Sequence, residues 1–144
     1  MQKKYGVKIE GGEEIHLQLE VSGDTIEKQS WQVVGGFDLI QLVQALYNQN
    51  IQRIQDFPEP QGLSSSVLLL KELILRVKGQ WVEGDQDMEV CHCRKISEAA
   101  IDRAILLGAH NLEKVRKRTS ANTGCGACMA DVQSLISKRV SGSF

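Results

Sequence analysis

The chain has 144 residues, enough for one ordinary domain or two small ones, and its composition is typical of a globular protein. The apolar run at residues 67–70 is as long as any in the chain and is too short to cross a bilayer. With a net charge of −1 and only 5% aromatic residues, the sequence speaks against nucleic-acid binding.

Charge and thiol content both change near residue 88. Residues 1–87 carry 8 basic and 13 acidic side chains and no cysteine, for a net charge of −5, whereas residues 88–144 carry 9 basic, 5 acidic and all four cysteines, for +4. The stretch 79–87, with two glycines and three acidic residues, is typical of a linker, which we place at 81–87. We therefore predict an N-terminal domain over 1–80 and a C-terminal domain over 88–144.

The N-terminal domain begins with a pattern that predicts strands. Apolar residues alternate with polar ones from Ile15 to Val21, which is typical of a half-buried strand and directs His16 to solvent. A weaker strand is predicted over 5–10 and a third over 26–34, with glycine-containing turns between them. We expect an antiparallel meander of three strands.

Two helices are predicted to follow, over 37–48 and 63–78, where apolar residues recur at helical spacing. Ser64, Ser65 and Ser66 suit the start of the second helix. Strands followed by helices indicate an α+β fold. This half contains no catalytic constellation, and nothing elsewhere in the chain indicates hydrolysis or group transfer, so we expect a protein that is not an enzyme.

The C-terminal domain is predicted to be small and all-α. Ser97 suits the N-cap of a helix that ends at Gly108, and Asn111 suits the cap of a second helix reaching about Arg118. A third helix is expected to open at Cys125, because apolar residues recur at helical spacing from Met129 to Ile136.

The four cysteines form two pairs: Cys91 and Cys93, then thirty-one residues, then Cys125 and Cys128. No apolar signal segment opens the sequence, so we expect a cytoplasmic location, where such cysteines more often bind metal than form disulfides. Zinc or an iron–sulfur cluster would suit four thiolates. A zinc site, His92 as a replacement ligand, and a redox dithiol at Cys125–Cys128 remain alternatives.

The predicted surroundings of these cysteines favour negative charge. The positive end of a helix dipole, next to the C-x-x-C, stabilises anions by about 0.3–1 kcal/mol each at an exposed end. Gly124 and Gly126 let backbone amides approach the sulfurs, and Arg94 and Lys95 add positive charge. An oxidised [2Fe-2S] centre with four thiolates carries a charge of about −2, which suits these surroundings.

The sequence from Glu89 to Ser97, continued by residues 123–128, resembles the bacterioferritin-associated ferredoxin (Bfd-like) family. The resemblance covers residues 88 to about 139. It implies a small helical domain around a [2Fe-2S] cluster, with Cys91, Cys93, Cys125 and Cys128 as the four iron ligands.

The domain order resembles that of NifU-type assembly proteins, in which a scaffold domain precedes a Bfd-like domain. Residues 15–47 are similar to the strand–strand–helix segment of that IscU-like scaffold, and the helix over 63–78 is similar more faintly. The scaffold family uses three cysteines, one of them just after the third strand, where this chain reads Val34-Gly35-Gly36-Phe37. The resemblance therefore implies a degenerate scaffold that cannot assemble clusters on thiolates.

We expect a NifU-like [2Fe-2S] protein that carries single electrons or assists iron–sulfur cluster assembly or iron metabolism, with a protein redox or assembly partner. The basic run from Lys114 to Arg118 is either a solvated helix end or a surface that steers an acidic partner. The sequence leaves a homodimer open. The alternative function is a non-redox interaction or sensor protein with a structural cluster or zinc site.

Overall fold

The computed structural model describes residues 1–9, 11–83, 89–91, 95–119 and 129–141, with only the backbone described at Cys91 and Ser141. The chain divides into two compact units, Met1–Gly62 with Ser66–Trp81, and Leu63–Ser65 with Val82–Phe144. Residues 84–87 of the predicted linker lie outside the described ranges, so the sequence-based domain limits stay predictions.

The first unit opens with a three-stranded antiparallel meander in the order β1-β2-β3, formed by β1 (Gln2–Lys8), β2 (Glu14–Ser22) and β3 (Thr25–Val34). Burial alternates along β2, where Ile15, Leu17, Leu19 and Val21 are buried and the residues between them are not. Gly23 closes the β2–β3 hairpin with φ of 61°, a conformation that glycine adopts without steric cost. The predicted meander is confirmed.

Three helical segments follow: α1 (Phe37–Asn48), a short 3-10 helix (Ile54–Asp56) and α2 (Ser65–Val77). The sheet, α1 and α2 all contribute buried apolar side chains to the core. The sequence pattern missed the 3-10 helix, around which Ile51, Ile54 and Phe57 are buried. This unit has the predicted mixed α+β architecture.

Individual side chains in the first unit behave as their positions in the pattern predict. His16 is exposed and its Nε2 lies 2.6 Å from the Glu14 carboxylate. Trp31 packs edge-on against Phe57, with ring centroids 6.4 Å apart. Ser66 differs from a simple cap residue, because its hydroxyl donates to the Glu13 carboxylate at 2.9 Å.

The second unit contains the short strands β4 (Glu89–Cys91) and β5 (Ile96–Ser97), followed by α3 (Glu98–Leu106), α4 (Leu112–Thr119) and α5 (Met129–Ser141). The strands pair antiparallel. The prediction of an entirely α-helical domain is therefore wrong in this detail, because two short strands, one on each side of residues 92–94, pair with each other. In the part of the chain that the structure describes, no helix combines the length and apolarity needed to cross a membrane.

Candidate metal centre

The first predicted ligand, Cys91, lies at the end of β4. Its backbone is directly opposite that of Ile96 in β5, and the ladder has an irregularity between Glu89 and Cys91. Lys95, just before β5, has φ of 54°, a left-handed conformation that is uncommon for a residue with a side chain. The connection between the paired strands β4 and β5 contains Cys93.

The other predicted ligands are Cys93, Cys125 and Cys128, and they lie outside the described residues, as do His92, Arg94, Gly124 and Gly126. Within the described ranges, no group of three or more His, Cys, Asp or Glu side chains is placed to hold a metal ion. The structure therefore shows where the cysteine-bearing segments begin and end, and the ligand set stays a prediction.

The elements that carry those segments share one apolar core. Its buried members come from β4, α3, the α3–α4 loop, α4 and α5: Val90, Ile101, Ala104, Ile105, Ala109, Val115, Val132 and Ile136. Because β4 leads into the C-x-C and α5 follows directly on the C-x-x-C, this core fixes one end of each cysteine-bearing segment. A frame of this kind orients ligands that lie on loops.

A buried ion pair joins α3 to α5 within this frame. Arg139 is only 4% exposed, and its guanidinium donates to the two carboxylate oxygens of Asp102 at 2.9 and 2.5 Å. Such a two-point contact fixes both distance and orientation. The register of α5 against α3 therefore depends on this pair, which no sequence pattern indicated.

Two predicted helix caps are present. The Ser97 hydroxyl accepts a hydrogen bond from the Ala100 amide at 3.2 Å, and the Asn111 side-chain oxygen accepts one from the Lys114 amide at 2.9 Å. Each satisfies a first-turn amide that has no partner within its helix. The described part of α5 begins at Met129, directly after Cys128 in the chain, so the predicted opening of this helix at Cys125 lies outside the described residues.

Positive charge surrounds the end of α3. The Arg118 guanidinium donates to the Leu107 carbonyl at 2.7 Å and lies against Gly108, which has φ of 120°. Burial, and then the positive charge of Lys114, lower the pKa of nearby His110 below its usual value. The Nε2 atom of His110 is buried with no hydrogen-bond partner among the described residues.

Comparison with known families bears on the same region. Residues 89–138 match the family described as the BFD-like [2Fe-2S] binding domain, and the match contains all four cysteines. The chain carries a BFD-like [2Fe-2S] domain. Its cofactor is therefore a [2Fe-2S] cluster, as the resemblance implied.

Two curated proteins are similar to part of the chain. The chain is 34% identical over 71 residues to the nitrogen fixation protein NifU of Leptolyngbya boryana, covering 46% of this chain and 35% of NifU. It is 35% identical over 48 residues to the large subunit of a NAD(P)H nitrite reductase of Klebsiella oxytoca, covering 33% of this chain and 5% of that subunit. The chain is thus NifU-like but spans about a third of NifU. No solved structure matches.

The four-thiol donor set fits the cofactor of the BFD-like domain, since [2Fe-2S] clusters are commonly held by four cysteine thiolates. The sequence predicts these donors from their spacing and from the family resemblance, and it did not predict the β4–β5 pairing. The β-branched apolar residues Val90 and Ile96, one on each side of the C-x-C, were the signal for these strands. Strands of two or three residues are hard to distinguish from a loop in a sequence.

Proposed function

We propose that the chain is a NifU-like [2Fe-2S] protein that carries single electrons or assists iron–sulfur cluster assembly or iron metabolism, and that it is not an enzyme. Cys91, Cys93, Cys125 and Cys128 would hold the cluster. The observation that carries this proposal is the match of residues 89–138, which span all four cysteines, to the BFD-like [2Fe-2S] binding domain.

The cofactor supplies one-electron chemistry when bound, because its irons exchange between the ferric and ferrous states. The contribution of this chain is to hold the ligands and set the local charge. Lys95 is exposed beside the C-x-C, and Arg103 and Arg118 are exposed on α3 and α4. Positive charge near the ligands favours the reduced, more negative state and so raises the reduction potential.

The role of the first unit must differ from that of a thiol-bearing scaffold. No cysteine occurs before residue 91, so residues 1–80 cannot supply thiolates for cluster assembly. The segment Val34-Gly35-Gly36-Phe37, where the scaffold family has a cysteine, joins β3 to α1. We propose that this unit recognises an assembly or iron-metabolism partner in place of building clusters.

One observation favours an interaction role for the first unit. Phe37, Ile40 and Tyr47 of α1 are 72%, 45% and 52% exposed, although the same helix buries Leu39, Val43 and Leu46. Exposed large apolar side chains, aromatic ones above all, are characteristic of protein–protein contacts. The second candidate is therefore an interaction or sensor protein in which the metal centre is structural.

An anaerobic redox titration, followed by visible absorption and electron paramagnetic resonance, separates the two candidates. Carrier function predicts a reversible one-electron couple, with iron and sulfide content unchanged after a full reduction and reoxidation cycle. Loss of iron on reduction, or absence of any couple within the range of roughly −700 to +450 mV known for such clusters, would contradict the carrier and favour the structural role.

A further inference from the structure

A groove of about 500 Å³ lies beside the first cysteine of the BFD-like domain. Its wall combines apolar side chains with two guanidinium groups: Ile96, Ala100, Ala104 and Leu107 with Arg103 and Arg118. Leu107 is 42% exposed, a large apolar surface for a residue at the end of a helix. The groove therefore offers both apolar contact and positive charge.

The position of the groove relates it to the metal centre. Ile96, which lines the groove, is the direct cross-strand partner of Cys91. Opposed residues in an antiparallel ladder have Cα atoms only about 4.5–5.5 Å apart. A molecule seated in the groove would thus lie one strand away from the first predicted iron ligand.

Charge on the neighbouring surface is strongly positive. Besides Arg103 and Arg118, helix α4 carries Lys114, Arg116 and Lys117, and its one acidic residue, Glu113, lies 3.4 Å from Lys117. Helix α3 carries two acidic residues: Asp102 is paired with Arg139, and Glu98 is buried. An occupant that complements this surface carries negative charge.

We propose that this groove docks an acidic segment of the protein that exchanges electrons with the cluster, with carboxylates facing Arg103 and Arg118 and an aliphatic side chain against Leu107. The identity of the partner as an electron-transfer protein rests on the proposed function, whereas the acidic docking site does not. The apolar wall favours a peptide segment over a small inorganic anion, which would gain nothing from Ile96 or Leu107.

Position 100 allows a variant that blocks the groove while supporting the fold. Ala100 is exposed, lines the groove and occupies the third position of α3 after its cap Ser97. A glutamate at that third position completes a capping box with an N-terminal serine. Ala100→Glu should therefore keep or raise the melting temperature while placing negative charge and bulk in the groove.

Gln133→Glu is the matched control. Gln133 is exposed on α5 of the same unit and lines a different groove, with Val82, Val90 and Leu135 among its neighbours. The substitution adds the same charge of −1 at a position outside the proposed docking groove. Arg103→Glu is a second groove variant that reverses a charge without filling the space.

The test uses the full chain, purified without oxygen, and a short blocked peptide rich in glutamate and leucine, with its lysine counterpart as the negative probe. Binding is measured by calorimetry and by amide shifts in nuclear magnetic resonance at low and high salt. We expect the acidic peptide to shift the amides of Ala100, Arg103 and Leu107 and to bind more weakly in high salt.

Affinity should fall about tenfold or more in Ala100→Glu and in Arg103→Glu, as expected when close charge pairs are lost and repulsions gained. It should stay within about twofold in Gln133→Glu, which lacks such contacts. Equal affinity in all four proteins, equal binding of the lysine peptide, or no binding at all would overturn the proposal. If inorganic phosphate bound as tightly as the peptide, the groove would be a simple anion site and the peptide-docking proposal would be wrong. These readouts need no electron transfer, so a negative redox titration leaves them interpretable.

Discussion

Arg139 carries its charge into the interior of the BFD-like domain, where only 4% of it is exposed. A buried guanidinium is tolerated when a carboxylate meets it with good geometry, and Asp102 does so through both of its oxygens. Replacing both partners by apolar residues is often neutral, whereas removing one leaves an unpaired buried charge. The pair therefore acts mainly to fix how α5 packs on α3.

Arg139→Met should destabilise the domain by about 3–5 kcal/mol, the cost of leaving a buried carboxylate unpaired. Asp102 is 19% exposed in its side chain, which places the expected loss near the lower end of that range. Combining Arg139→Met with Asp102→Leu should recover most of the loss. Urea unfolding followed by circular dichroism gives the three values, and a single variant as stable as the parent would show that the pair contributes nothing.

His110 makes stability depend on pH. Burial is the larger cause of its lowered pKa, the charge on Lys114 comes next, and the Ile105 carbonyl opposes both. The unfolded chain, with a pKa of about 6.5, binds the proton more readily than the folded chain. This contribution to stability is therefore full above about pH 6.5 and is lost as pH falls towards the folded pKa.

His110→Leu should flatten the fall of the melting temperature as the pH drops below about 6.5. His16→Leu serves as the control, since that ring is exposed beside Glu14 in the first unit. Melting curves at several pH values compare both variants with the parent. Parallel pH profiles for His110→Leu and the parent would mean that protonation of this ring costs the fold nothing.

At the scale of elements, the sequence predicted secondary structure best where a helix cap or a strict hydrophobic period was present. The sequence places α1 at the residues where the structure has it, and Ser97 and Asn111 cap their helices as predicted. These features depend on residues within one or two turns of each other. The β4–β5 pairing and the Asp102–Arg139 contact depend on residues that meet only through the fold, so the sequence gives little sign of them.

Asn111→Ala should cost about 1 kcal/mol, because it leaves the Lys114 amide without its acceptor. Asn111→Asp should keep the cap and match the parent within about 0.5 kcal/mol. Helix α4 carries Arg118, so the alanine variant should also weaken binding of the acidic peptide by loosening one side of the groove. Chemical unfolding compares the stabilities, and equal values for both variants would show that α4 does not need this cap.

At the scale of the molecule, the two units differ in what stabilises them. The first unit has a sheet and helices that bury apolar side chains, whereas the core cluster among the described residues of the second consists of eight alanine, valine and isoleucine side chains. A domain of about fifty residues rarely reaches secure stability through its core alone, so bound metal should add much of it. Only the stability of the second unit should therefore depend on the cysteines.

Cys125→Ser should lower the melting temperature of the second unit and leave the first folded. Both tryptophans, Trp31 and Trp81, belong to the first unit, so their fluorescence follows that unit alone. Visible absorption follows the metal centre, and circular dichroism follows the helices of both. A single transition that shifts equally in all three signals would contradict separate stabilisation of the units.

The [2Fe-2S] cofactor and its four cysteine ligands are assigned from different observations. The match of residues 89–138 gives the cofactor, while the assignment of Cys91, Cys93, Cys125 and Cys128 as ligands comes from their spacing and the family resemblance. The described structure adds the frame on which β4 and α5 hold the two cysteine-bearing segments. Geometry at the sulfurs could not be derived from sequence, since it depends on how those segments converge.

The most direct test is the ultraviolet–visible spectrum of the chain purified without oxygen, with iron, sulfide and zinc assayed on the same sample. A [2Fe-2S] centre on four thiolates predicts brown protein with about two irons and two sulfides per chain, bleached by dithionite. Serine at any one of the four cysteines should change or abolish that spectrum. Colourless protein holding one zinc would contradict the account and leave an adaptor stabilised by metal.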